Sequence, residues 1–287
     1  MSIQFGRRRY KLPLLEKIKL FIKYRILKKL FRQPFINILL FILTIFTTRL
    51  AQNIWYSIAV ISILFTHEMG HYLMCRKYRI KSTLPFFIPI PPPLNPFGTM
   101  GAVIKMEGKI PHRKALFDVG VAGPLAGLVV TIVTLIIGLN LSMPTQAIEV
   151  GLGRSLLFTW FIKWFNPALL DNPEAFPNPV IFAGWVGLFI TALNLLPIGQ
   201  LDGGHIVYSL FGSKSKYVYR MAITGFAINT AYYPPWIIFL ILLITFGLRH
   251  PPPSNDSEPL DLKRWIIGIF TFIVFIVAFM PFPFQIY

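Results

Sequence analysis

Two histidines and a glutamate raise the first question of chemistry. The segment His67-Glu68-Met69-Gly70-His71 sits near the end of a strongly apolar run, Ile54 to Met74. Histidines four residues apart fall on one face of a helix, about one turn from each other. Both imidazoles can therefore reach a single metal ion, and Glu68 beside them can take a proton from an attacking water. An ionisable trio inside an apolar, membrane-length helix is costly, which makes it a functional feature by default. The bland readings are a surface helix with idle histidines, or polar side chains holding two membrane helices together. Chance places H-E-x-x-H in a chain of this composition on the order of once in several hundred.

A catalytic zinc site uses three protein ligands and keeps one position for water. His67 and His71 supply two. Asp202 is the best candidate for the third, because it follows a proline-broken turn where a short carboxylate can be aimed at a metal. Its charge would also lower the cost of holding Zn2+ in a low-dielectric setting. Two rivals stay open. His205 lies three residues further on and otherwise reads as a residue on the substrate side, and His112 lies among Lys109, Arg113 and Lys114 on a basic face.

The chain that must position these groups has 287 residues, 55% of them hydrophobic and only 14% charged. Ordinary soluble domains carry about 25% charged residues, so the chain belongs to the membrane class. Its mean hydropathy of +0.62 agrees. The net charge of +17 gathers at the ends of apolar runs, which fits the cytoplasmic flanks of membrane spans better than a nucleic-acid surface. Cys75 is the only cysteine, which excludes an intrachain disulfide and a cysteine-rich metal site. Arg7-Arg8-Arg9 does not lead straight into an apolar segment, so no cleavable signal peptide is evident.

Residues 1–34 read as a basic amphipathic segment on an anionic cytoplasmic leaflet. A first span, Phe35 to Thr48, runs outward and a second, Ile54 to Met74, returns to Arg76, Lys77, Arg79 and Lys81 on the inside. Pro85, Pro89 and Pro91-Pro92-Pro93 then forbid a helix, and Thr99 to Met106 is apolar yet extended in character. Irregular backbone at membrane depth must be buried in protein or line a watery cavity, so residues 82–114 read as a re-entrant loop or strand beside the metal. A plain cytoplasmic loop is the alternative. The third span, Ala115 to Leu139, carries Gly120, Ala122, Gly123, Ala126 and Gly127 for close helix approach, and Asp118 reads as an interfacial structural acid. Residues 140–179 form an external segment whose aromatic stretch, Leu156 to Phe165, suits the outer interface.

The fourth span starts near Val180 and brings Asp202 back to the side of His67 and His71. Tyr217 to Tyr233 and Pro235 to Leu248 read as two short spans broken at Pro234-Pro235, or as one kinked span with an interfacial piece, and Arg249, Lys263 and Arg264 favour the first; Ile266 to Phe282 adds a last span after a flexible proline-rich loop at Pro251 to Pro259. The expected fold class is thus an all-α polytopic membrane protein of about six or seven transmembrane helices, with a small re-entrant loop or β element next to the metal. Its expected parts are the interfacial segment 1–34, a membrane core carrying the metal motif over 35–210, and additional C-terminal transmembrane helices over 211–287. The core comprises a motif helix at 54–75, the re-entrant region at 82–114 and helices at 115–139 and 180–210.

With these residues in view, the chain resembles the site-2 proteases, a family of intramembrane zinc metalloproteases. His67 to His71 match its H-E-x-x-H, and Asn194, Pro197, Asp202 and Gly203 match its N-x-x-P-x-x-x-x-D-G pattern. Gly98 to Lys105 and Ala122 to Gly127 look like its middle region, so the resemblance covers residues 54–210. It implies that His67, His71 and Asp202 bind one Zn2+ per chain, that Glu68 is the catalytic acid/base, and that Asn194 contacts the substrate backbone. It implies a metalloendopeptidase that hydrolyses peptide bonds within or near transmembrane segments of membrane-anchored substrates, as in regulated intramembrane proteolysis. The implied partners are those substrates, membrane lipids and an upstream site-1-type protease acting on the same substrate, with no nucleic acid. The implied location is a prokaryotic inner membrane, multi-pass, with the N-terminus cytoplasmic. A catalytically inactive zinc-binding membrane scaffold or carrier is the alternative. No PDZ-like insertion or nucleotide-sensing C-terminal domain is evident.

Overall fold

The computed structural model describes residues 4–5, 8–9, 33–141, 150–171, 178–247 and 250–286. The interfacial segment expected over 1–34 lies almost wholly outside them. The described chain is mostly helical. Helix α1 (Phe35–Ala51) turns at once into α2 (Ile54–Lys77), because Asn53 adopts an extended backbone and its side chain accepts the Tyr56 N–H at 3.0 Å. This caps a donor that the first turn would otherwise leave unpaired. The buried contact between the two helices is polar, with the Thr48 and Ser57 hydroxyls 2.7 Å apart.

After α2 come four short strands, β1 (Lys81–Ser82), β2 (Phe86–Pro89), β3 (Thr99–Val103) and β4 (Met106–Glu107). They form two antiparallel pairs, β1 with β4 and β2 with β3, the latter in the register Phe86↔Val103 and Phe87↔Ala102. This hairpin lies along α1. At one end the Asn37 side chain donates to the Leu84 and Pro85 carbonyls. At the other, Gly98 approaches the Thr47–Thr48 backbone so closely that a Cβ would lie 2.5 Å from the Thr47 carbonyl oxygen. Ten helical residues separate Asn37 from Thr47, about 15 Å. The hairpin thus runs beside α1 over most of that helix's length.

Helix α3 (Arg113–Asn140) continues without interruption through Pro124 and packs against α2, then β5 (Val150–Leu152) and α4 (Leu156–Phe165) follow. Helix α5 (Pro179–Asn194) is buried over most of its length. On it Phe182, Trp185 and Phe189 stack into an aromatic column that receives Tyr56 from α2 and Phe97 from the hairpin tip. The helix expected over 180–210 is divided. Pro197 has no N–H to donate and Gly199 takes a positive φ of 54°, so the chain turns between Leu195 and Leu201 before α6 (Asp202–Phe211) starts.

The remainder consists of α7 (Ser215–Tyr232), α8 (Ile237–Gly247), α9 (Leu262–Ala278) and β6 (Phe284–Ile286), which pairs with β5. The loop expected to be flexible between α8 and α9 is tied down. Its Ser254 and Asn255 N–H groups donate to the Ile110 and Pro111 carbonyls, while Asp256 and Glu258 face Arg113 and Lys114 at the start of α3. The acids that make this loop polar also complement the basic end of α3. Asp118 on α3 has a structural role too. It accepts the Tyr78 hydroxyl at 2.5 Å and two Arg264 donors at 2.8 Å, joining α2, α3 and α9.

Two helices, α2 and α3, are long and apolar enough to cross a membrane. The exposed face of α1 carries Phe35, Ile38, Ile42 and Phe46, and that of α9 carries Ile266, Ile269, Phe270 and Ile273. Asn37, Thr44 and Thr48 of α1 point inward instead. The outer faces of these helices are thus apolar, while hydroxyl and amide groups face the interior.

Candidate metal centre

His67, Glu68 and His71 all lie on the buried face of α2, at 4%, 7% and 7% exposure. Such burial of three ionisable side chains calls for partners. The His71 ring is fixed by α3: its Nδ1 lies 2.8 Å from the Val119 carbonyl oxygen. A carbonyl only accepts, so Nδ1 carries the hydrogen and Nε2 is left with a lone pair. A metal-binding histidine is held in this way.

Room for the rings comes from α3. A Cβ on Gly123 would lie 2.1 Å from His71 Nε2, and one on Gly127 would lie 3.1 Å from the His67 Cβ. The small residues that predict close helix approach therefore have a sharper purpose at these two positions: they leave space for imidazoles.

Asp202 arrives as the first residue of α6. Gly203 and Gly204 behind it are tight for the same kind of reason, since a Cβ on either would lie within 2.2 Å of the Leu195 or Gly199 carbonyl oxygen. The start of α6 sits directly on the preceding turn, which brings both Asn194, the last residue of α5, and Asp202 to the same cavity. Its N-terminal position also favours a negative charge.

Three ligand atoms converge. His67 Nε2 and His71 Nε2 are 3.2 Å apart, and each is 3.3 Å from Asp202 Oδ2. Tetrahedral bonds of about 2.0–2.1 Å to nitrogen and oxygen require ligand atoms about 3.3 Å apart, so this triangle fits a zinc ion. Among the described residues, His67, His71 and Asp202 form the cluster able to hold a metal. Neither rival belongs to this cluster. His112 caps α3 by accepting the Ala115 N–H at 3.1 Å, and His205 turns its Nδ1 to His250, 2.6 Å away.

The site opens into a cavity of about 220 Å³ lined by the three cluster residues, Glu68, Asn194, His205 and the stretch Ala102 to Ile104 at the end of β3. Glu68 and Ile104 share the wall of this cavity. The Asn194 amide nitrogen lies 3.3 Å from His67 Nε2. Every site residue expected from the sequence is therefore in one cavity. His250 was not expected: a histidine beside a proline run has no local pattern to mark it, and only the folded loop brings it to His205.

The family model described as Peptidase family M50 matches residues 55–231. Similar proteins include "Probable zinc metalloprotease EGY2, chloroplastic" of Arabidopsis thaliana, 29% identical over 77% of this chain and 40% of its own length. "Probable zinc metalloprotease EGY1, chloroplastic" of Arabidopsis thaliana is 32% identical over 77% of this chain and 42% of its own. The EGY1 protein of Oryza sativa subsp. japonica is 30% identical over 78% and 39%. The chain thus spans about two fifths of the length of these curated relatives.

Proposed function

The chain belongs to peptidase family M50, the site-2 protease family, and from that premise we propose that it is a zinc metalloprotease cleaving peptide bonds within or near transmembrane segments of membrane-anchored proteins. One observation carries this reading: His67, Glu68 and His71, on a helix long enough to cross a membrane, meet Asp202 of α6 at the wall of one cavity. His67, His71 and Asp202 would hold one zinc ion. When bound, the ion supplies Lewis acidity that polarises the scissile carbonyl and makes water acidic enough to be deprotonated near neutral pH.

The chain's own groups do the rest. Glu68 takes the proton of the attacking water and returns it to the leaving amine. The Asn194 amide N–H donates to the substrate backbone. A helical substrate hides its scissile carbonyl in its own hydrogen bonds, so it must unwind before attack. The strand β3 beside the cavity can take the unwound segment as an added strand and satisfy its freed backbone groups.

The helices α1, α2, α3, α5 with α6, α7, α8 and α9 correspond to seven spans, with the N-terminus inside. The apolar outer faces of α1 and α9 support a multi-pass arrangement. The chloroplastic names of the relatives point to an organelle membrane rather than the prokaryotic inner membrane. The partners are the membrane-anchored substrates, the surrounding lipids and an upstream site-1-type protease.

The test uses purified protein in nanodiscs, with zinc content and cleavage of a reconstituted single-pass substrate measured together. Wild type should hold one zinc and cleave, and Glu68→Gln should keep the zinc and lose cleavage. A Glu68→Gln protein that cleaves like wild type would defeat the mechanism. Zinc without cleavage by wild type would favour the scaffold.

A further inference from the structure

The cavity has a histidine that the hydrolytic mechanism above does not use. His205 lines it, half-buried, next to α3, where a Cβ on Gly120 would lie 2.9 Å from the His205 Cβ. Its Nδ1 is 2.6 Å from Nε2 of His250, and Nδ1 of His250 is 2.7 Å from the Pro251 carbonyl oxygen. The hydrogens in this chain can be assigned from its far end. The Pro251 carbonyl only accepts, so His250 Nδ1 carries a hydrogen. Burial pushes the His250 imidazole down to about 4, so the ring is neutral near pH 7 and its Nε2 is an acceptor. His205 Nδ1 must then be the donor. In the neutral His205 ring the remaining nitrogen, Nε2, has a lone pair and no hydrogen.

His205 lines the cavity and His250 does not, so the ring edge turned away from His250 is the one that the cavity holds. That edge bears Nε2. The loop holding His250 is itself fixed, by stacking of His250 on Tyr208 at 4.6 Å, by Tyr208 donating to Asp256, and by the Ser254 and Asn255 N–H groups on the chain before α3. The tautomer is therefore set by a loop docked against the start of α3 and against α6.

We propose that His205 is a further catalytic residue, whose Nε2 accepts a hydrogen bond from the scissile-amide N–H and then from the leaving amine, with His250 as the positioning residue that fixes its tautomer. The proposal rests on the peptidase reading. No proton changes hands at His205; the hydrogen stays on the substrate nitrogen while Glu68 supplies the one that completes the amine. An acceptor here complements the donor Asn194, so that carbonyl and amide ends of the scissile bond meet opposite partners. The hydrogen bond orients the nitrogen lone pair toward the proton it must receive as the C–N bond weakens.

The experiment compares wild type, His205→Leu, His205→Gln, His250→Ala and His250→Gln in nanodiscs, reading zinc content, kcat and KM on one transmembrane substrate, and the histidine 15N tautomer signals. Gln offers an acceptor oxygen near the position of Nε2 at either site. All five proteins should keep one zinc. His205→Leu and His250→Ala should lose about 10- to 100-fold in kcat with KM little changed, and each Gln variant should recover most of that loss. In wild type both rings should show Nδ1–H and a bare Nε2, and His250→Ala should release His205 into a mixture of tautomers. The proposal is overturned if His205→Leu cleaves at the wild-type rate, if it loses its zinc, or if His205 Nε2 carries the hydrogen. Absence of cleavage by zinc-loaded wild type would instead defeat the peptidase reading, and this proposal with it.

Discussion

The molecule holds two histidine pairs whose rings lie almost equally close, with centroids 4.9 Å apart for His67 and His71 and 4.8 Å for His205 and His250. Their nitrogens are arranged in opposite senses. In the first pair two Nε2 atoms face each other and a carboxylate oxygen, and His71 has its hydrogen drawn away to the Val119 carbonyl. Lone pairs converging on one point repel unless a cation sits among them. In the second pair a donor meets an acceptor at 2.6 Å, and no cation is needed. Ring proximity alone therefore does not identify a metal centre. The carboxylate oxygen 3.3 Å from both Nε2 atoms, with the His71 hydrogen drawn to its other nitrogen, does.

Breaking the first pair should have the largest effect. Asp202→Ala removes the only negative charge of the triangle, and zinc content should fall from one per chain to background, with cleavage lost. Unchanged zinc in that variant would transfer the third ligand to His205 and erase the distinction between the pairs. Gly123→Ala should act nearly as strongly without touching a ligand. Its Cβ would overlap His71 Nε2, so zinc affinity should drop by on the order of tenfold or more. Gly225→Ala on α7 is the control, because a Cβ there meets nothing within 4 Å, and it should bind zinc normally. Equal zinc affinity in the two variants would mean that the α3 glycines do not seat the rings.

Arg264→Gln leaves both pairs intact and removes the bidentate partner of Asp118. The pair is only partly buried, so the cost should be about 1–3 kcal/mol in thermal unfolding, below that of a fully enclosed ion pair, with zinc stoichiometry unchanged. Loss of zinc in Arg264→Gln would show that the metal centre depends on α9. The smallest effect concerns pH and the second pair. His250 is held below its ordinary value by burial, so the folded loop binds fewer protons than the released one. Docking of the loop is then fully favourable above about pH 6.5 and weakens as pH falls toward 4. His205, Tyr208, Asp256 and Arg113 are the groups around it. Hydrogen-exchange protection of the Ser254 and Asn255 amides should decline over that window, and protection that stays flat would remove the burial argument.

Much of the first pair was legible in the sequence, because an i, i+4 spacing on a helix is a local geometric fact. The recurrence of Asn194, Pro197, Asp202 and Gly203 is legible for a similar reason. A proline and a positive-φ glycine force the turn that carries Asp202 back to α2. The two helices long and apolar enough to cross a membrane are also legible, since apolar runs are properties of the chain itself. The second pair was not legible. His205 and His250 are 45 residues apart, and His250 sits in a loop whose prolines and acids suggest flexibility until Arg113 and Lys114 are seen to hold it.

The sequence by itself determined the chemistry available: two imidazoles and a carboxylate on one helix, a second carboxylate at a forced turn, and an apolar chain to hold them. Only the tertiary structure decided how that chemistry is aimed. Helix α3 supplies both the carbonyl that orients His71 and the gaps at Gly123 and Gly127 into which the rings fit. A tautomer is set by the neighbours of a ring, and those neighbours come from distant parts of the chain.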